Sequence, residues 1–365
     1  MKKTTVSLLL AAALLLPCMV GCGSNSESVD EGETTLAGVG ESAVLMTVDG
    51  REITAEEYLY WACLVLDSYY YSSVYGTSLD DGTHSWVAEN RDSLSLAIES
   101  YVLSYNEPLI HAEELGFAAD EEAMNEYVDG IVAEYLTYYE GSEETLEDFL
   151  SQYCVSVDGF RGIGEKNWYC QELSDFLYGE GGEYAPTDEE VLAYADDAGY
   201  FACKYVFLST VNYYTEAGIA TVREKAEQLM SYIEQSDDPT AYFAEAILEP
   251  YWNDDTEESE DGLTATASSI STVFDEAVRS LEVGEFSGVI DDTDEFGYFI
   301  IQRLAVNPDD VREECCDYLF SELVSEWCAG ADVQYSEAYD SIDWQSFYAA
   351  LTDYRLNLGE AAETE

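Results

Sequence analysis

The sequence predicts an α+β chain: a mainly helical part joined to a smaller mixed part with an antiparallel-containing sheet and flanking helices. Three observations predict it. The N-terminal half carries long apolar repeats at helical spacing, two strong strand segments lie in the C-terminal half with helical stretches between them, and a run of Gly179, Gly181, Gly182 and Pro186 separates the two regimes.

The first element is a hairpin. Residues 44–48 (VLMTV) and 51–53 (REI) flank Asp49-Gly50, a pair suited to a tight two-residue turn. Thr54 then reads as a helix cap, with Glu57 three residues on completing a capping box. Residues 59–71 have an apolar face interrupted by Tyr69, Tyr70 and Tyr71. Further helices are expected at 86–115, 120–139, 145–153 and 157–177, separated by Gly, Ser and acidic turns.

Beyond Pro186, Thr187 and Glu190 form a second capping box that opens a short helix. Residues 201–208 (FACKYVFL) are rich in aromatic and branched side chains and read as a strand. An amphipathic helix is expected at 215–235, with Val222, Ala226, Leu229 and Ile233 on one face. Phe274, Ala277, Val278 and Leu281 mark another helix, which stops before Gly284, and residues 298–304 (YFIIQRL) give the second strand. After Pro308 the chain returns to helix, with Val311, Cys315, Leu319, Leu323 and Trp327 along one side. No internal repeat stands out.

The N-terminus carries an address. Lys2 and Lys3 precede an apolar run from Val6 to Val20, the charged and apolar regions of a signal peptide. At roughly fifteen residues the run is shorter than the ~20 of a spanning helix. It ends in Gly21 and Cys22, and small residues just before a Cys resemble a bacterial lipobox, in which that Cys is acylated and becomes the new N-terminus. Cys18 follows Pro17 and is the poorer candidate; an ordinary secretory leader with an incidental Cys is the competing reading. Residues 22–42 are polar and acidic and read as a flexible tether, and 349–365 read as an acidic C-terminal tail.

Composition bounds the function. The 365 residues are 47% hydrophobic and 13% aromatic, enough for a large core and too long for one average domain. Formal net charge is -64, and losing Lys2 and Lys3 with the leader takes it to -66. Nucleic acid is thereby excluded as a partner, because phosphate binding needs the opposite sign. The acids are spread along the chain, as on a solvated surface; the stretches 254–261 and 291–295 lack the alternating acids and central Gly of a calcium loop. Besides Cys18 and Cys22 there are seven cysteines, Cys63, Cys154, Cys170, Cys203, Cys315, Cys316 and Cys328, with no CxxC pair. They fit neither a zinc site nor a defined disulfide framework; most read as small buried residues, with pairing of some left open. Two histidines, His84 and His111, sit in no catalytic motif.

The segments together resemble the extracytoplasmic foldases, the PrsA-type lipoproteins and SurA-type chaperones that carry a parvulin-type peptidyl-prolyl isomerase domain. VDGREITAEEY (48–58) resembles the opening of their helical chaperone domain, and LGFAADEEAMNEYVDGIVAEY (115–135) a later helix pair. APTDEEVLAYADDAGYFACKYVFLS (185–209) is similar to the linker helix and first strand of the parvulin domain. The strongest likeness is FDEAVRSLEVGEFSGVIDDTDEFGYFIIQRL (274–304), similar to the parvulin ending of an FxxA helix, a Leu-x-x-Gly-Glu turn, a Ser and a Gly-x-His-Ile-Ile strand. The resemblance covers roughly residues 45–348. It implies a discontinuous helical domain, 43–186 with 307–348, whose C-terminal helix packs back on the N-terminal ones, around a parvulin-like domain at 187–306.

The implied partners are unfolded or newly exported polypeptides, met at the outer face of the membrane where Cys22 is anchored. The implied activity is prolyl isomerisation, which lowers a ~20 kcal/mol rotational barrier and requires no nucleophile, metal or cofactor. An apolar pocket and hydrogen bonds favouring the twisted amide suffice. By the likeness, Ile270 and Phe274 fall where the family has apolar substrate-binding residues; Phe274 as simple core is the bland alternative. The family's two strand histidines are replaced by Tyr205 and Phe299, so the catalytic positions are degenerate. A phenol keeps a polar edge, whereas Phe299 neither donates nor accepts. The loop 251–262 falls where relatives present a Cys or Asp, and Asp254, Asp255 and Asp261 are equal candidates. A binding chaperone without turnover is the alternative function. A lipid-anchored solute- or cation-binding protein is the third, and it requires two α/β lobes about a cleft, a pattern the sequence lacks.

Overall fold

The computed structural model describes residues 34–74, 89–138, 143–256, 262–267 and 270–362. They fall into two compact units, divided after residue 183 and after residue 318, the second inserted in sequence within the first. The fold is α+β, with two small antiparallel sheets among many helices.

In the first unit, β1 (Val44–Val48) and β2 (Arg51–Thr54) pair antiparallel across Asp49 (φ 47°) and Gly50 (φ 83°), the two positive dihedrals such a turn demands. Helix α1 (Ala55–Val74) follows. Thr54 Oγ1 accepts the Glu57 amide at 3.4 Å, but the expected capping box is only half made. The Glu57 carboxylate turns inward to Asn106 and Lys166 instead, since a charge-assisted pair with a second hydrogen bond outcompetes a return bond to one backbone amide.

Helices α2 (Arg91–Ala112), α3 (Glu121–Tyr138), α4 (Glu143–Ser151) and α5 (Val157–Tyr178) complete this stretch, close to the expected spans. The start predicted for α2 at residue 86 lies outside the described residues. Pro108 sits inside α2 and leaves the Ser104 carbonyl without its helical donor; the Cys170 thiol points at that oxygen from α5 at 3.9 Å. The core between α1, α2 and α5 is aromatic: Trp61 stacks on Tyr101 at 5.5 Å, and Tyr58, Tyr60 and Phe160 are buried.

The second unit opens with α6 (Asp188–Ala198), where the Thr187–Glu190 capping box forms in full. Strand β3 (Phe201–Ser209) leads to α7 (Glu216–Gln235), capped by Thr215 and burying Val222, Ala226, Leu229 and Ile233. Then come α8 (Pro239–Ile247), β4 (Leu263–Ala265), α9 (Thr272–Ser280), β5 (Ile290–Asp292) and β6 (Gly297–Leu304). The sheet order is β4-β3-β6-β5, antiparallel throughout, with Phe207 opposite Phe299 and Tyr205 opposite Ile301. Side chains alternate across it. One face sends Val206, Leu208, Tyr298 and Ile300 against α7 and α8. The other sends Phe201, Cys203, Tyr205, Phe299 and Ile301 against Phe274 and Val278 of α9.

Helix α10 (Arg312–Gly330) carries the chain out of the second unit and back into the first, where Phe320 and Val324 are buried and Trp327 stacks on His111 at 4.6 Å. Strand β7 (Val333–Tyr335) adds to β1, giving the order β2-β1-β7. A short turn of helix, α11 (Glu337–Asp340), precedes α12 (Trp344–Ala362).

Two sequence expectations need correction. Residues 349–362, expected as an acidic tail, continue α12, because Leu351 is fully buried and Arg355 is bonded to Asp67 and to the Gln152 carbonyl. The tether expected at 22–42 is docked from Thr34 onward: Thr34 bridges Gly40, Val39 is buried, and the amides of Ala55 and Glu56 donate to the carbonyls of Ala43 and Glu41. Its apolar side chains Leu36, Ala37 and Val39 outweigh the acids around them by packing on the core.

Candidate functional site

The predicted site lies on the α9 face of the second sheet. Alternation along β3 puts Cys203, Tyr205 and Phe207 on that face, and antiparallel register brings Phe299 of β6 opposite Phe207. Ser271 caps α9 by accepting the Phe274 amide at 3.1 Å, which fixes the helix start so that Phe274 and Val278, one turn apart, point at the sheet.

The four predicted residues come together. Phe274 meets Tyr205 edge-on at 5.5 Å and Phe299 edge-on at 5.3 Å; Tyr205 and Phe299 are 6.3 Å apart. Ile270 packs against the same group, partly buried. Phe207 stacks on Phe299 at 4.9 Å, a contact the sequence reading passed over although its i, i+2 spacing from Tyr205 signals a shared face. Phe274 has no exposed surface, Phe299 keeps 2% and Tyr205 4%. Among the described residues these side chains form one buried aromatic cluster.

The polar edge of this cluster is Tyr205, whose hydroxyl donates to Asp255 Oδ2 at 2.8 Å. Of the two candidate acids among the described residues, Asp255 is thus the one at the ring. Asp254 instead accepts the Ser209 amide at 2.8 Å, and Asp261 lies outside the described residues. The loop is held by Asn253, which is buried: its Oδ1 accepts the Phe207 amide at 2.9 Å and its Nδ2 donates to the Ile247 carbonyl at 2.8 Å. Asn253 was not foreseen, since nothing local distinguishes it from the acids beside it.

Phe201, at the start of β3, lies under two guanidinium groups, Arg279 at 4.9 Å and Arg303 at 5.7 Å. Burial, and the neighbouring Arg279 charge, hold Arg303 below its ordinary value, while burial pushes the Cys203 thiol up to about 12. Such a thiol is an inert core group. Among the described residues no group of His, Cys, Asp or Glu is arranged to hold a metal ion. The Asp291 carboxylate is occupied by Thr293, which donates to it at 2.8 Å. Cys22, the predicted lipidation residue, lies outside the described residues, as does His84. No described helix is long and apolar enough to cross a membrane.

Comparisons with known proteins add the following. No protein-family model matches the chain, and no curated protein matches it significantly. Among solved structures it is similar to foldase protein PrsA from Lactococcus lactis, at 16% identity and a TM-score of 0.32, over 85% of this chain and 99% of that one. It is similar to foldase protein PrsA from Streptococcus pneumoniae at 17% identity and a TM-score of 0.32, over 83% of this chain and 100% of that one. A Campylobacter jejuni structure from work on the SurA-like chaperones PEB4 and Cj1289 follows at 11% identity and a TM-score of 0.23, over 81% and 99%. At TM-scores this low the likenesses carry no weight for activity; the functional reading rests on the residues themselves.

Proposed function

We propose that the chain is an extracytoplasmic foldase that works as a binding chaperone, holding unfolded or newly exported polypeptides, in which the parvulin-type site is retained as a structural core and no longer turns over prolyl bonds. The observation that carries this reading is the closed contact of Phe274 with Tyr205 and Phe299, three rings buried edge-on against one another at the positions the resemblance assigns to the site. Two further features support it. The histidine positions hold Tyr205 and Phe299, which removes the imidazoles the resemblance calls for. Exposed aromatic and apolar side chains cluster elsewhere on the second unit, where Val211, Tyr213 and Tyr214 follow β3, with Tyr214 91% exposed. Rings with a polar edge suit adaptable contact with unfolded chains.

The lipobox-like Gly21-Cys22 supports placement on the outer face of a membrane through acyl chains at Cys22. With net charge near -66 after cleavage, attraction to anionic headgroups does not help, so residence depends on the lipid. Cys22→Ser is expected to release the protein from the membrane fraction, and retention there removes the anchor from the account.

The test of the chaperone reading is an aggregation assay with the full chain in detergent micelles and a chemically unfolded client. Near-stoichiometric suppression of light scattering is expected, reduced when Tyr213 and Tyr214 are both changed to Ser. Absence of any suppression would falsify the reading.

A further inference from the structure

We infer that Cys63 and Cys154 form a reactive dithiol, which a disulfide oxidant outside the cell converts to an intramolecular disulfide that staples α1 to the turn after α4. This goes beyond the chaperone reading and does not depend on it.

The two sulfurs are 3.9 Å apart although the residues are 91 apart in sequence, against about 2.05 Å in a formed bond. Cys63 is fully buried in the middle of α1, and Cys154 is partly exposed three residues past the end of α4. The turn bearing Cys154 is held in place by a clamp. The Arg355 guanidinium donates twice to the Gln152 carbonyl, at 3.0 and 2.7 Å, and once to Asp67 Oδ1 at 2.7 Å. Asp67 is one helical turn beyond Cys63 on the same face of α1. The clamp therefore joins the two backbone segments that carry the sulfurs.

Cys154 also has φ 57°, at a helix C-terminus where the left-handed conformation ordinarily selects glycine. A thiol stands where the backbone favours having no side chain. It lines a cavity of about 340 Å³ together with Leu36, Glu41, Ser151, Val155 and Tyr354, so a small disulfide can reach it. The hydrogen bond from Cys63 holds the Cys154 thiol below its ordinary value, against its burial and with help from the Arg355 charge. Burial drives Cys63 well up, and sends Cys170 and Cys328 to about 12. The accessible sulfur is thus the nucleophile and the buried one its resolving partner.

The chemistry balances as follows. The Cys154 thiolate attacks one sulfur of an oxidant disulfide, forming a mixed disulfide and expelling one thiolate. Cys63 loses its proton to that thiolate or to water and attacks Cys154 Sγ, expelling the second. Two protein thiols are oxidised, and one external disulfide is reduced to two thiols.

The test incubates the folded full chain with oxidised glutathione, blocks remaining thiols with N-ethylmaleimide and maps the non-reduced digest by mass spectrometry. A Cys63–Cys154 linked peptide is expected, together with a raised melting temperature that dithiothreitol reverses. Cys154→Gly, which suits the positive φ and keeps the fold, is expected to abolish the link and the melting shift. In Cys63→Ala, Cys154 is expected to stop at a glutathione adduct. The inference is overturned if both thiols are recovered as maleimide adducts after oxidation, if oxidation joins a different pair, or if Cys154 in Cys63→Ala takes up no glutathione.

Discussion

Replacing Phe274 by Ala distinguishes a core residue from the wall of an open pocket. The ring has no exposed surface and lies edge-on to Tyr205 at 5.5 Å and to Phe299 at 5.3 Å. Truncating a buried Phe costs about 3–5 kcal/mol, of which the two edge-on contacts account for about 0.5–1.5 kcal/mol each. A ring lining a solvated pocket loses far less, about 1 kcal/mol, because one side already faces water. Amide hydrogen exchange of β3 and β6 reads the difference locally, which matters in a chain of two units where one global transition is not assured. At about 1.4 kcal/mol per decade, protection in β3 and β6 is expected to fall by about two to three and a half orders of magnitude, while α1 and α2 keep theirs. A fall of less than about tenfold in β3 and β6 refutes the claim that the site is closed.

Three other expectations follow from the first unit. Lys166→Met leaves the Glu57 carboxylate buried with only Asn106 for company, and urea denaturation is expected to show a loss of about 3–5 kcal/mol, largely recovered in the Glu57→Leu/Lys166→Met double variant. Leu351→Ala is expected to cost about 2–5 kcal/mol by the same assay, whereas a residue in a solvated tail costs nothing. The third concerns pH. Burial holds Glu107 and Asp67 above their ordinary values of 4.5 and 3.8, with Asp49 adding to the effect at Glu107 and Arg355 opposing it at Asp67. A raised folded value favours the folded state fully below the unfolded value and loses that contribution as pH rises through the folded one. The melting temperature is therefore expected to fall as pH rises above the ordinary carboxylate values of 3.8 and 4.5. Glu107→Gln is expected to shrink that fall, since it removes a carboxyl whose proton the fold favours although His111, with Nε2 3.4 Å from Glu107 Oε2, opposes the shift; an unchanged slope contradicts the assignment.

The sequence made the local rules legible and left the long-range ones hidden. Asp49-Gly50, Thr187 with Glu190, and the aromatic runs of β3 and β6 each carry their instruction within a few residues, and each forms as expected. Glu57 obeyed a partner 109 residues away, Lys166, and no capping rule foresees that. Strands β4, β5 and β7 are three residues long, too short for any alternation to register. Helix α8 did carry a signal, Asp238 capping and Pro239 at the first helical position, which the acidic surroundings masked. Helix α12 was hidden for a related reason: the acids at its end obscured Leu351 and Arg355.

For the site, aromatic and branched content placed Tyr205 and Phe299 on strands, and the likeness to parvulins marked them, with Phe274 and Ile270, as site positions. That they close on one another is a matter of ring volumes and register, which one strand's sequence does not contain. The same holds for Cys63 and Cys154, two of seven unpatterned cysteines until α1 and the turn after α4 are packed together.

The central claim, a foldase that binds without turning over prolyl bonds, is tested most directly by cis-trans exchange of a proline-containing peptide followed by NMR in the presence of the full chain. The account predicts an exchange rate equal to that of the peptide alone at every protein concentration. Acceleration that rises in proportion to the protein, and is lost in a Phe274→Ala variant that stays folded, contradicts it.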